Sequence, residues 1–115
     1  MNMLNNPCVF QEIDGMLNCV FSGRLDEGIC SEIELDLLQH VSHFKNGRED
    51  VRLNFDLAGV VFISSPFLRL CLIGFRAFGK EGFSVSNVSD DIQQVFRISG
   101  FADMMHVTHV DGEEQ

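Results

Sequence analysis

A strand pattern runs directly into a helix start in the stretch DLAGVVFISSPFLR, residues 56–69. Upstream, residues 51–57 alternate apolar and polar side chains, which is typical of a strand with one buried face. At the other end, Ser65 followed by Pro66 is typical of a helix N-terminus, because the first helical turn leaves its N–H groups unpaired and proline lacks one. The sequence therefore predicts a strand over 51–57, Ser65 as the N-cap, and a helix from Pro66 to about Gly79.

The two hydroxyls at this junction, Ser64 and Ser65, have two interpretations. They are either capping residues and no more, or one of them carries a phosphate. A helix N-terminus tolerates an anion because it presents unpaired N–H groups and the positive end of the helix dipole. A phosphoserine would add roughly −1.5 to −2 charge there. Arg69, one turn beyond Ser65, is placed to pair with it.

Apolar periodicity and turn signals divide the rest of the chain into further elements. Before the stretch 56–69, they are strands over 8–13 and 16–22 joined by Asp14-Gly15, and a helix capped by Asp26 and stopped at Asn46-Gly47. After it come a strand over 83–88 and a short helix capped by Ser89 and ended by Gly100. A helical turn over 101–105 and an edge strand over 106–110 complete the series. This order, β-β-α-β-α-β-α-(β), predicts an α/β fold in which a mixed, mostly parallel sheet of four to five strands packs with three to four helices.

Helical spacing also predicts which side chains face the core and which face solvent. The expected apolar face of the first helix consists of Ile29, Cys30, Ile33, Leu37, Leu38, Val41 and Phe44, and that of the short helix of Ile92, Val95, Phe96 and Ile98. The expected solvent-facing residues are Glu32, Glu34 and Asp36 in the first helix and a narrow basic stripe of Arg69, Arg76 and Lys80 in the second. That basic stripe is either a solvated edge or a contact for an anion or partner.

Length, charge and hydropathy limit the possible functions. With 115 residues, the chain is expected to form one domain over 1–115, with 1–6 and 111–115 frayed. A formal net charge of −9, with only eight Lys and Arg, argues against nucleic acid as a partner. We find neither a signal-peptide pattern at the N-terminus nor an apolar run of the ~20 residues that a membrane span needs. We therefore expect a cytoplasmic protein without membrane insertion.

Patterns for catalysis, metals and cofactors are weak. His40 and His43 lie three residues apart on the first helix without a carboxylate at metal-ligand spacing, so a solvated pair near the helix end explains them better than zinc. The four cysteines, at positions 8, 19, 30 and 71, form no CxxC and are expected to be buried in a reducing compartment. The chain has no phosphate-binding glycine loop and no Ser-His-Asp set marked by its spacing. We expect no metal, no cofactor and no catalytic residue, and so a binding module rather than an enzyme.

Three segments together resemble one domain family: SGRLD at 22–26, DLAGV leading to FISS at 56–65, and SDDIQQVFRISGF at 89–101. They are similar, in this order, to the Thr-Gly-x-Leu/Ile-Asp, Asp-Ser-Ser/Thr-Gly-Leu and Ser-Pro-x-Val-x-x-Leu-Phe-x-x-Ser/Thr-Gly-Leu motifs of the STAS domain. That family is named for sulphate transporters and anti-sigma factor antagonists. The resemblance is strongest to the small stand-alone bacterial anti-sigma factor antagonists, and it implies a STAS-like fold for the whole chain.

Matched position by position, the phosphoacceptor serine of the family corresponds to Ser65. Ser64 stands where the family has Asp, Pro66 replaces a second hydroxyl, Phe67 replaces glycine, and Leu68 keeps the motif leucine. The resemblance implies phosphorylation of Ser65, with Ser64 as the alternative. The partner-binding residues that it implies are Ser64, Ser65, Pro66, Phe67, Arg69 and Asp26.

The resemblance also implies a role in partner switching. The expected partner is an anti-sigma factor or a histidine-kinase-like serine kinase, with a serine phosphatase as a further partner. The alternative function is that of a scaffold subunit in a sensory or lipid-transport complex, using the same fold without phosphorylation. Phe67 beside Pro66 motivates this alternative, because an exposed aromatic side chain at a helix start is a suitable interface anchor.

Overall fold

Strands and helices alternate along the chain in the order expected from the sequence. The elements are β1 (Cys8–Ile13), β2 (Met16–Leu25), α1 (Glu27–Lys45), β3 (Arg52–Ile63), α2 (Ser65–Gly82), β4 (Phe83–Val88), α3 (Asp90–Ile98), α4 (Phe101–Met104) and β5 (His106–His109). The computed structural model describes residues 6–112, so most of the segments expected to fray, 1–6 and 111–115, lie outside the described residues. The predicted α/β class and element order are confirmed.

The five strands form one sheet in the order β1-β2-β3-β4-β5. β1 and β2 are antiparallel, and the remaining neighbours are parallel. The three crossovers through α1, α2 and α3 each move one strand further in the same direction. Since crossovers of this type are right-handed, all of these helices pack on one face of the sheet. No helix of the described residues, 6–112, lies on the other face.

The turn between the first two strands is the hairpin that the sequence predicts. Asp14 has φ 48 and Gly15 has φ 77, and a two-residue turn with both central φ angles positive matches the twist of the flanking strands. The next two strands are longer than predicted, because β2 continues beyond Ser22 to Leu25 and β3 continues beyond Leu57 to Ile63. The extensions pair with each other up to Leu25↔Ile63, with one register shift just before Ser22↔Gly59 and another between Gly23 and Arg24.

Four phenylalanine rings form the aromatic centre of the core between the sheet and the helices. Phe55 packs edge-on against Phe21 and Phe83, with ring centroids 4.9 and 5.0 Å away. Phe67 joins them from α2, at 5.1 Å from Phe21 and 6.0 Å from Phe55. All four rings are buried. The elements that meet here include β2, β3, α2 and β4, so the aromatic cluster ties the helix layer to the centre of the sheet.

The buried faces of the helices agree with the periodicity in α1 but only in part in α3. The α1 residues that are buried are Cys30, Ile33, Leu37, Val41 and Phe44. In α3, Ile92 and Phe96 are buried, whereas Val95 is 37% exposed and Ile98 78% exposed. The prediction that Val95 and Ile98 face the core is wrong. Ile98 lies six positions after Ile92, which turns it away from the face formed by the i, i+4 pair.

Helix α2 loses regular helical geometry at Gly79, where φ is 80 and ψ is 174. The regular helix breaks at the residue where the sequence predicts its end, but the element continues to Gly82. None of the helices among residues 6–112 is both long and apolar enough to cross a membrane.

Candidate functional site

The candidate site lies where β3 ends and α2 begins, at the carboxyl edge of the sheet. Ser64, in extended conformation with φ −120 and ψ 172, is the N-cap, and Ser65 is the first helical residue. The Ser64 carbonyl accepts hydrogen bonds from the Phe67 N–H at 3.0 Å and the Leu68 N–H at 3.2 Å. The prediction that Ser65 is the cap is wrong by one residue. Pairing with β2 carries β3 as far as Ile63, so the helix starts directly after Ser64.

The side chain of Ser64 connects this junction to the preceding one. It does not cap its own helix. Its hydroxyl donates to the carbonyl oxygen of Leu25, the last residue of β2, at 2.8 Å. The Cys30 thiol of α1 lies 3.9 Å from the same hydroxyl and donates to the same carbonyl at 3.6 Å. Burial raises the pKa of the Cys30 thiol, and the contact with Ser64 partly opposes this rise. The half-buried Ser64 thus joins the starts of α1 and α2.

Ser65 has a different environment from Ser64 although it is the next residue. Its side chain is exposed. Its hydroxyl makes no hydrogen bond to any other residue in the described range, 6–112. Pro66 is half-buried beside it, in the first turn of α2. Of the two adjacent serines, only Ser65 presents its hydroxyl to solvent at the positive end of the helix.

Arg69 is placed one turn after Ser65 and is held by an ion pair. Its Nη2 donates to Oε1 of Glu34 on α1. The hydrogen bond raises the pKa of the Arg69 guanidinium, which therefore stays cationic. Glu34, expected to face solvent, is half-buried and keeps 30% of its side chain exposed beside Arg69. The reason is that α2 packs beside α1 and brings Arg69 to it.

Asp26 caps α1 as predicted. Its Oδ1 accepts a hydrogen bond from the Ile29 N–H at 2.9 Å. It follows directly after Leu25, whose carbonyl binds Ser64, so the caps of α1 and α2 lie at the same edge of the sheet. The carboxylate is exposed and contributes a negative charge near the Ser64–Ser65 junction.

Phe67 is a clear correction to the sequence-based expectation. The sequence suggested an exposed aromatic anchor at the helix start, but the Phe67 side chain is 0% exposed. It occupies the third position of α2 and points inward to Phe21 and Phe55. A glycine at this position would leave a cavity in the core of this chain, whereas the phenylalanine fills it. The bulk of Phe67 therefore lies inside the protein and not on the surface that a partner would approach.

Sequence reasoning missed an exposed aromatic feature next to the site. Phe62 is 37% exposed near the end of β3, and the guanidinium of Arg24 on β2 lies 4.4 Å from the centroid of its ring. Val61 beside it is 70% exposed. The apolar run VVFI at 60–63 carried a signal for this, because it could have extended the predicted strand as far as the serines.

The histidines of α1 lie away from this junction. The His40 ring stacks on Phe10 at 3.7 Å, and its Nδ1 lies 3.3 Å from Asp36. A cavity of about 480 Å³ is lined by residues that include His40, Phe10 and Arg48, the last paired with Glu12 at 3.1 Å. Arg48 and Glu12, two charged residues of this cavity, are thus paired with each other. Within residues 6–112, no three His, Cys, Asp or Glu side chains are grouped to hold a metal ion.

All four cysteines are free thiols and buried, as predicted. Burial raises the pKa of the Cys71 thiol well above its usual value. A hydrogen bond with Cys8, together with burial, raises that of Cys19. The buried cysteines are therefore packing residues.

The sheet order and the crossovers on one face agree with the STAS-like fold that the sequence resemblance implies. The sequence matches no protein-family model and no curated protein. The solved structures that are similar to it include two of SpoIIAA. The anti-sigma factor antagonist SpoIIAA in its unphosphorylated form matches with a TM-score of 0.59 and 16% identity over 79% of this chain and 82% of that chain. The Bacillus cell fate determinant SpoIIAA in the phosphorylated form matches with a TM-score of 0.62 and 17% identity over 90% and 93%.

At this level of identity the similarity establishes the fold, and the predicted resemblance to the STAS domain of anti-sigma factor antagonists is confirmed at that level.

Proposed function

We propose that this chain is a regulatory protein-binding module of the anti-sigma factor antagonist type. Its partner is an anti-sigma factor or a histidine-kinase-like serine kinase, and Ser65 is the residue that is phosphorylated. The observation that carries the proposal is the exposed, unbonded hydroxyl of Ser65 at the first position of α2 in a STAS fold. A serine phosphatase that removes the phosphate completes the proposed switch.

The contrast between the two serines supports Ser65 over Ser64 as the acceptor. Transfer of a phosphate to Ser64 would require its hydroxyl to leave the Leu25 carbonyl, which it binds at 2.8 Å, and to leave the thiol of Cys30. A phosphate on Ser64 would also be half-buried, where an anion loses much of its hydration. Ser65 has neither obstacle. Its phosphate would lie in water at the positive end of α2.

The charges around Ser65 suggest how phosphorylation would change the surface. Arg69 is the cation one turn away, and in the unmodified chain it binds Glu34. A phosphate on Ser65 would compete with the Glu34 carboxylate for this guanidinium, because phosphate carries more charge and more acceptor oxygens. The modified site would then contain a phosphate, a less neutralised Glu34 and the nearby Asp26. Binding of a partner that approaches this edge would be weakened by repulsion and by desolvation of the phosphate.

The partner-binding surface in this proposal is the exposed part of the junction. It comprises Ser65, Pro66, Arg69 and Asp26, with Ser64 as the residue that holds their backbone in place. Phe67 contributes by fixing the first turn of α2 against the core, since its ring is buried. Arg24, Val61 and Phe62 extend the same edge and supply apolar area.

The scaffold alternative loses the observation that motivated it. It rested on Phe67 as an exposed interface anchor, and this side chain is buried. The proposal therefore treats the chain as a switchable regulator rather than an enzyme or a constitutive scaffold. It also assigns the protein to the cytoplasm, in agreement with four free cysteines that form no disulfide.

The proposal is tested by mapping phosphate on the protein purified from its native cells, at rest and under stress. We expect one phosphate whose occupancy changes between conditions, which maps to Ser65, is lost in Ser65→Ala and is kept in the matched control Ser64→Ala. We further expect Ser65→Asp to bind the co-purifying partner more weakly than wild type and Ser65→Ala to retain binding. Equal partner binding by all three, with no phosphate in any condition, would disprove the switch, and a phosphate on Ser64 would disprove the assignment.

A further inference from the structure

Among residues 6–112, one face of the sheet carries no helix, because all three crossovers lie on the other side. Along each strand the side chains alternate between the two faces. Leu17, Leu53 and Phe83 point to the helices and are buried. The residues that follow them in sequence, Asn18, Asn54 and Ser84, point to the open face.

A row of polar side chains crosses the middle of this open face. It takes one residue from each strand in a continuous register: Gln11, Asn18, Asn54, Ser84 and His106. The Asn54 Nδ2 donates to Asn18 at 2.8 Å, and its Oδ1 accepts from the Ser84 hydroxyl at 2.7 Å. Asn18 in turn donates to Gln11 at 3.3 Å. These side chains already bond to each other. If another surface covered the row, fewer of their polar groups would therefore be left unpaired than if each had bonded to water.

Two further rows flank the polar row and are complementary to each other. On one side, Val9 pairs with Val20, which pairs with Asp56. On the other side, Ile13 pairs with Met16, which pairs with Arg52. The described face thus contains an apolar pair and a carboxylate in one outer row, and an apolar pair and a guanidinium in the other. Val9 and Ile13 are both exposed, at 45% and 48%.

We propose that the open face binds the open face of a second copy of this chain. If a two-fold axis along the polar row relates the two copies, their strands run in opposite directions. Each outer row of one copy then lies against the other outer row of the second copy. Val9 and Val20 of one copy then meet Ile13 and Met16 of the other, and Asp56 meets Arg52, twice in each dimer. A surface that complements itself in this way is the requirement for an isologous interface. Asp56 accepts the hydrogen bonds from Asn87 Nδ2 and from the Ala58 N–H on Oδ1, which leaves Oδ2 to accept from Arg52 of the second copy in the proposed dimer.

Charge favours a second copy as the occupant of this face. The chain has a formal net charge of −9, so two copies repel each other over most of their surfaces. Within the three rows, the charges of Arg52 (+1) and Asp56 (−1) cancel, and the polar row has no carboxylate. The open face is therefore a neutral and internally paired surface on an acidic protein.

The size of the face also suits a dimer. Five strands spaced ~4.8 Å apart and three rows ~7 Å apart cover about 20 by 24 Å. Two such faces bury on the order of 1,000 Å² in total, which reaches the lower limit for a specific interface. The proposed dimer leaves the edge with Ser65 free in both copies, because that edge lies at the end of the strands and not on the open face.

The first experiment is sedimentation velocity of the full chain over a series of concentrations. We expect wild type to convert to a dimer as concentration rises, while Ile13→Lys and Arg52→Asp shift to monomer. Leu35→Lys is the matched control, since Leu35 is an exposed apolar residue on the helix side; it should dimerise like wild type. A wild type that stays monomeric throughout, a dimer that survives both sheet-face substitutions, or loss of the dimer in the Leu35→Lys control would each overturn the proposal.

Cross-linking gives a second measurement that does not depend on weakening the dimer. Gln11 is exposed and lies on the proposed axis, so Gln11→Cys should join two copies through a short bis-maleimide. The native cysteines are all buried and should not react. Leu35→Cys, on the helix side, is the control and should give no linked dimer. Equal linking of the two variants, or none in Gln11→Cys, would overturn the assignment of the interface.

Discussion

Replacing Phe67 by alanine tests whether the position at which the STAS motif has glycine is part of the core in this chain. The Phe67 ring is fully buried and contacts Phe21 and Phe55 at centroid distances of 5.1 and 6.0 Å. Truncating a buried phenylalanine costs about 3–5 kcal/mol, through lost apolar burial and the cavity that remains. The two aromatic contacts, at about 0.5–1.5 kcal/mol each, are part of that total. We therefore expect the free energy of unfolding to fall by about 4 kcal/mol.

A loss of this size is large for one domain, since total stability is about 5–15 kcal/mol. With a urea dependence of about 2 kcal/mol per molar, the unfolding midpoint should fall by about 2 M. The assay is urea unfolding followed by circular dichroism, with Phe67→Leu as a control that keeps most of the apolar volume and should lose much less. If Phe67→Ala lost less than about 0.5 kcal/mol, the range of most surface changes, the ring would not be a core residue and the reasoning would be refuted.

Further predictions follow from the packing of α1 and α2. Gly74→Ala should destabilise the protein by about 1–3 kcal/mol in spite of alanine's higher helix propensity, because the new Cβ would lie 2.7 Å from a ring carbon of Phe83. Gly28→Ala, whose new Cβ would have its nearest contact at 3.7 Å, should instead stabilise the protein by about 0.5–1 kcal/mol. Thermal unfolding of both variants separates the two effects. Stabilisation by Gly74→Ala would contradict the packing. Ser64→Ala should cost about 1 kcal/mol, the value of the hydrogen bond to the Leu25 carbonyl, and an unchanged urea midpoint would mean that this bond contributes nothing. The Cys71 thiol, whose pKa is raised by burial, should react with a thiol reagent at pH 8 only after unfolding, and rapid labelling of the native protein would show that it is accessible.

Local signals in the sequence were sufficient wherever the structure depends on neighbouring residues. Asp14-Gly15 identifies its hairpin because both residues accept a positive φ. Asp26 identifies the start of α1 because its carboxylate reaches the Ile29 N–H three residues later. The apolar spacing of α1 identifies its buried face because residues three or four positions apart lie on the same side of a helix. These features involve residues at most a few positions apart.

The errors concern contacts between residues far apart in the chain. The end of β3 is set by its pairing with Leu25 of β2, so no local signal could place the cap on Ser64 rather than Ser65. The partner of Glu34 is Arg69, thirty-five residues later, and depends on how α1 and α2 pack. Phe67 was expected outside because it follows a proline at a helix start. Whether its side chain points inward depends on how α2 is rotated about its own axis when it packs on the sheet.

The same topology explains why the candidate site and the open face are separate. In a sheet whose strands lie side by side in the same order as in the sequence, right-handed crossovers place every helix on one side. Each helix then starts at the carboxyl edge, where the caps of α1 and α2 meet through Ser64 and Leu25. That edge collects helix N-termini, which suit a phosphate on Ser65. The face that carries no helix of the described residues presents strand side chains. Asp56 lies in one of its outer rows and Arg52 in the other, and this arrangement suits a second copy. Substitutions in the open face should therefore change association without changing phosphorylation of Ser65, and substitutions at Ser65 should do the reverse.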